Sequence, residues 1–128
     1  MGAELFQIAS REDAALDTGR ILVLRQSLGD QRCREIVSEV VFHLTDRLGL
    51  LARAMAVGNA AEAQVLATRL ASLSEQVGLS DFARVARDLD ACLAGGDEVA
   101  TAAVEARLMR LGEDSLFSVM LYADQSAL

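Results

Sequence analysis

Apolar residues in this chain recur every three or four positions, in runs separated by glycine-bearing breaks, and that spacing predicts helices throughout. The stretch DTGRILVLRQSLG has Asp17 or Thr18 as its N-cap and closes at Gly29. Asp30 caps the next block, which runs to AVGN and sets Val37, Val40, Val41, Leu44, Leu48, Leu51 and Met55 along one side. Asn59 with Glu62 makes a capping box for a third block that ends at Gly78. Ser80 or Asp81 starts a fourth, with Phe82, Val85, Ala86, Leu89 and Leu93 inward and Gly95-Gly96 as its stop. Asp97 caps the last, whose inward set is Val104, Leu108, Leu111, Ser115 and Val119. Short connections make sequential helices antiparallel neighbours. The expected fold is therefore all-α, an up-down-up-down four-helix bundle with a short additional N-terminal helix. Residues 1–13 read as a peripheral segment and residues 14–128 as the bundle domain.

The third block, read at 100° per residue, has an unusual outer side. Leu66, Leu70, Leu73 and Val77 fall within about 60° of one another and define the buried direction. Ala61, Gln64, Thr68, Ala71, Ser72 and Glu75 fall about 140° to 240° from Leu66 and are expected to face water. All but Glu75 are neutral and small or flexible, in a chain that is 24% charged. An Ala-rich helix of strong intrinsic propensity would account for this without any partner. A face kept smooth for docking would account for it equally.

Composition narrows the function classes. The 128 residues are 52% hydrophobic but only 4% aromatic, with no Trp and no Pro, as expected for helices packed on helices through Leu, Val and Ala. A net charge of -7 argues against nucleic acid or an anionic membrane surface as partner. No apolar run reaches the roughly 18 residues that span a bilayer. The opening MGAELFQIAS lacks the basic and apolar regions of a secretory signal, and Phe6 stands where a myristoylation motif needs Ser or Thr. The expected compartment is the cytoplasm. Cys33 and Cys92 lack metal-type spacing and are read as reduced, Cys92 in the core. No metal site and no cofactor are expected. No phosphate loop, Cys/His cluster or Ser/His/Asp set supports an enzyme. Carboxylate pairs such as Asp13 with Asp17, or Asp88 with Asp90, read as solvated faces.

From Asp17 to about Leu111 the chain resembles a histidine-containing phosphotransfer (HPt) domain, the four-helix-bundle relay of two-component signalling. The likeness is carried by LRQSLGD, which resembles the family's leading helix and its stop, by LLARAMAVGNAAEAQVLAT, which resembles the run into the site helix, and by GLSDFARVARDLDACLAGGD after it. The family's site motif has the form Ala-His-x-Leu-Lys-Gly, with a further Gly ten residues after the His. Ala67, Leu70 and Gly78 match it here, but Thr68 stands in place of the His, Ala71 in place of the Lys and Ser72 in place of the close-packing Gly. The resemblance implies a degenerate member that binds the receiver domain of a response regulator or hybrid kinase without passing phosphate. It places the partner contact at Gln64, Thr68, Ala71, Ser72 and Glu75, with Ala61 and Arg69 at the edge. Glu75 suggests preference for the unphosphorylated receiver.

The substitution matters chemically. An imidazole is nucleophilic near neutral pH, and its P–N adduct transfers readily to a carboxylate. A Thr hydroxyl without an adjacent base is a weak nucleophile, and its ester is a poor donor. His43, the only histidine, is expected at the margin of the second helix's buried stripe, in a packing role. Antiparallel pairing about Gly58 leaves it about 9 Å along the bundle from the level of Thr68. Residual phosphotransfer through His43 is one alternative function. A structural or self-associating bundle is another, with Phe42, Phe117, Met120 and Leu121 off the inward stripes as a dimer patch. The same side chains could instead be covered by ELFQIA, whose Leu5, Phe6 and Ile8 need an apolar surface.

Overall fold

The computed structural model describes residues 16–125, which fold as five helices packed together, with no strand among the described residues. Helix α1 spans Thr18–Leu28, α2 Asp30–Ala56, α3 Ala60–Gln76, α4 Ser80–Gly95 and α5 Glu98–Gln125. The block boundaries expected from the glycine breaks coincide with these ends. None of the helices, over the described residues, is long and apolar enough to cross a membrane.

Local chemistry explains where the helices start. A helix leaves its first N–H groups unpaired, and a short polar side chain before it can accept one of them. The Asp17 carboxylate accepts from the Gly19 N–H at 3.0 Å, the Asn59 side chain from the Glu62 N–H at 3.2 Å and the Asp97 carboxylate from the Ala100 N–H at 3.0 Å. Helices α2 and α4 differ from expectation: Asp30 is the first helical residue of α2, behind Gly29 at the cap position, and does not cap it. On α4, Leu79 occupies the cap position and Ser80 is already helical, so no side chain caps it.

The core runs between α2, α3, α4 and α5. Helix α3 packs on both α2 and α4, α5 packs on α4 and α2, and α1 packs mainly on α2. Leu44, Leu51, Leu70, Phe82, Val85, Leu89, Leu108 and Leu111 are almost completely withdrawn from solvent. Each such side chain contributes about 1.5–3 kcal/mol of transfer free energy. Gly112 marks a meeting point of three helices, because a Cβ there would lie 3.0 Å from Leu48 Cδ1 and 3.2 Å from Phe82 Cε1. Helices α2 and α5, at 27 and 28 residues, are much longer than α3 and α4, at 17 and 16.

Cys92, expected in the core, lies at its edge, and the buried cysteine is Cys33. Cys33 is buried, its thiol directed at the Ile21 carbonyl oxygen at 3.8 Å, whereas Cys92 is half-buried; both are free thiols. Cys33 is the side chain that α1 covers on α2. Cys92 lies at the edge of the α4 stripe, beside the turn into α5, where cover is thinner.

Candidate functional site

Helix α3 buries Ala63, Leu66, Ala67, Leu70, Ala71 and Ser74. Placed at 100° per residue, these positions fill an arc of about 140° that starts at Leu66 and ends at Ala71. The leucines mark only one side of that arc. Its other side is a ridge of small residues, Ala63, Ala67 and Ala71, at four-residue spacing. Such a ridge lets a neighbouring helix approach closely.

That geometry corrects the expectation for Ala71, which is 1% exposed and belongs to the core. The direction inferred from leucines alone assumes one covering neighbour, and α3 has two, α2 and α4. Ala61, Thr68, Arg69, Ser72 and Glu75 are exposed, and Gln64 is half-buried.

Four of these side chains share one concavity. Ala61, Gln64, Thr68 and Arg69 line a shallow hollow of about 420 Å³ together with Val65 of α3 and Asp90 of α4. Sequence reading missed Val65 and Asp90 as parts of this surface. The spacing of Asp90 from Arg87 places both on the α3 side of α4 once the two helices are known to pack. Thr68 uses its hydroxyl locally, donating from Oγ1 to the Gln64 carbonyl oxygen at 3.0 Å. A threonine that bonds back to its own helix satisfies itself at little cost. It stands beside Arg69 and Asp90, and no histidine lines the hollow.

At the far end of this face Glu75 pairs with Arg87 across the α3–α4 interface. The hydrogen bond from the guanidinium, helped by its charge, holds the Glu75 carboxyl below its usual range, and the same bond raises Arg87. Both side chains are about half exposed, so the pair is a solvated one of modest strength. Glu75 therefore does not meet a partner as a bare negative charge.

His43 is exposed on α2, a correction to the packing role expected at the stripe margin. Its ring meets the Phe42 ring edge-on, centroids 5.7 Å apart. The outward turn of α2 at this level is uncovered, and Phe42 itself is 69% exposed. Among the described residues no group of three or more His, Cys, Asp and Glu side chains could hold a metal ion. A second hollow, also about 420 Å³, lies where the α2–α3 turn meets the start of α5, and it contains none of the expected site residues.

No protein-family model matches the chain, and no curated protein or solved structure matches it either.

Proposed function

We propose that this protein is a non-catalytic, HPt-like bundle, its four longer helices running up-down-up-down behind the short α1. On this reading it binds the receiver domain of a response regulator or hybrid kinase through α3 without transferring phosphate. The observation that carries the reading is the hollow in which Ala61, Gln64, Thr68 and Arg69 come together on the outer side of α3. Small and neutral side chains let two surfaces approach closely and lose little side-chain entropy on ordering. Thr68 in the histidine position offers a hydrogen-bonding hydroxyl and no activated nucleophile. The contact set is Ala61, Gln64, Thr68, Arg69, Ser72 and Glu75, with Val65 and Asp90 added and Ala71 removed as a core residue. Because Arg87 balances Glu75 and Arg69 lines the hollow, Glu75 gives little ground for a preference for the unphosphorylated receiver.

A titration against receiver domains tests this, each run beside Thr68→Arg, which leaves the buried arc alone. Saturable binding to one receiver, lost by at least tenfold in the variant, is the expected result. Equal binding by variant and wild type, or binding to no receiver at all, would overturn it.

One observation favours a second reading, a self-associating bundle. Phe117, Met120 and Leu121 are 65%, 46% and 44% exposed and, three and four residues apart, share the outer face of α5. A mass that rises with concentration in the wild type and stays monomeric in Phe117→Glu would support it. A concentration-independent monomer would exclude it.

A further inference from the structure

The second hollow, where the α2–α3 turn meets the start of α5, has the size and lining of a small-molecule site. Its volume of about 420 Å³ falls within the range such sites occupy, roughly 300–1,000 Å³. Ala54 and Met55 of α2, Leu93 of α4 and Ala102 of α5 supply apolar lining. Helix α5 also contributes Glu98, Thr101 and Glu105. With Ala102 these positions stand at i, i+3, i+4 and i+7, a single stripe along the helix. A stripe turned toward neighbouring helices is ordinarily apolar, yet three of these four residues are polar.

Thr101 is only 8% exposed, and its hydroxyl has no hydrogen-bond partner among the described residues. A buried hydroxyl left unpaired is costly, and a donor entering the hollow would remove that cost. Neither Glu98 nor Glu105 forms a salt bridge among the described residues. An anion is disfavoured by these two carboxylates, and Asn59 and Asp97 already accept leading N–H groups at the starts of α3 and α5. A metal ion lacks ligands, since no group of three suitable side chains exists among the described residues. A wholly apolar ligand would strip water from the carboxylates without return. An organic cation with an apolar body meets all three conditions. Along the axis of α5, Thr101 stands about 4.5 Å from Glu98 and about 6 Å from Glu105. We propose that this hollow binds a linear aliphatic triamine whose spacers of three and four methylenes match those two steps. The terminal ammonium groups pair with Glu98 and Glu105, the central one donates to the Thr101 hydroxyl oxygen, and the methylenes lie along Met55 and Ala102.

An NMR titration of the full-length chain with spermidine at physiological ionic strength tests the assignment. Saturable shifts are expected for amides of the α2–α3 turn and the first turns of α5. Glu105→Gln should weaken binding at least tenfold and Thr101→Val at least fivefold, whereas Glu39→Gln, the same charge change elsewhere on α2, should leave it as it is. The isosteric 1,8-diaminooctane, a methylene replacing the central ammonium, should bind the wild type at least fivefold more weakly and be indifferent to Thr101→Val. Glu105 is partly exposed, so its variant keeps the test intact if Thr101→Val fails to fold. No saturable binding would overturn the proposal. So would equal weakening by Glu39→Gln, which would mean attraction to net charge alone, or equal affinity for the two amines. None of Glu98, Thr101 and Glu105 belongs to the α3 contact set, so either outcome leaves the receiver reading where it stands.

Discussion

The Asp17 N–H donates to the Gly78 carbonyl oxygen at 2.7 Å, so the start of α1 is fastened to the turn between α3 and α4. The contact is tight on both sides. Gly78 has φ +81°, and a Cβ there would collide with the Asp17 carbonyl oxygen. Gly78→Ala therefore adds left-handed strain of about 1–2 kcal/mol to a backbone clash. The expected loss is about 2 kcal/mol or more by denaturant titration, with faster exchange of the α1 amides. A loss below about 1 kcal/mol would mean that the turn and α1 separate easily.

Ala71 and Thr68 lie three residues apart on α3, yet they respond oppositely to the same substitution. Ala71→Arg forces a cation into a position 1% exposed and is expected to cost about 3 kcal/mol. Thr68→Arg projects from an exposed position and should change stability by less than about 0.5 kcal/mol. Thermal melts of the two variants check this. The pair also separates folding from docking in any binding experiment.

The Glu75–Arg87 pair makes a small, pH-dependent contribution. Arg87 lowers the Glu75 pKa in the folded chain, so the contribution is complete above the ordinary, unfolded carboxyl value and is lost as pH falls through the lower, folded value. The melting temperature of Glu75→Gln should therefore lie slightly below that of the wild type near neutral pH. The two should converge in acid, and also at high salt. A difference that widens on acidification would contradict the assignment.

Ser115 is completely buried, and its Oγ has no hydrogen-bond partner among the described residues. An unpaired buried hydroxyl is costly, and replacing it by a methyl group removes the cost. Ser115→Ala should leave stability unchanged or raise it by about 1 kcal/mol, measured by chemical denaturation. A clear loss would show that the hydroxyl is bonded in solution.

How much of this was legible beforehand differs by element. The caps at Asp17, Asn59 and Asp97 and the glycine breaks are local chemistry, so the helix boundaries could be read directly. The inward residues of α2, α4 and α5 were read nearly complete, since large side chains at helical spacing have one side to bury. On α3 the leucines were read and the alanine ridge was not. A small apolar residue is compatible with core and surface alike, so its placement depends on what lies beside it.

By itself the sequence determined that the chain is helical, where its helices break, and which large side chains point inward. These follow from interactions within a few residues. Only the tertiary structure decided that Ala71 is core, that His43 is exposed, that Glu75 is balanced by Arg87 and that Asp90 joins Thr68 around one hollow. Periodicity reports the direction in which a helix faces its core. It does not report how many helices flank it or how closely they approach, and those two quantities set both the width of a buried arc and the pairs formed across it.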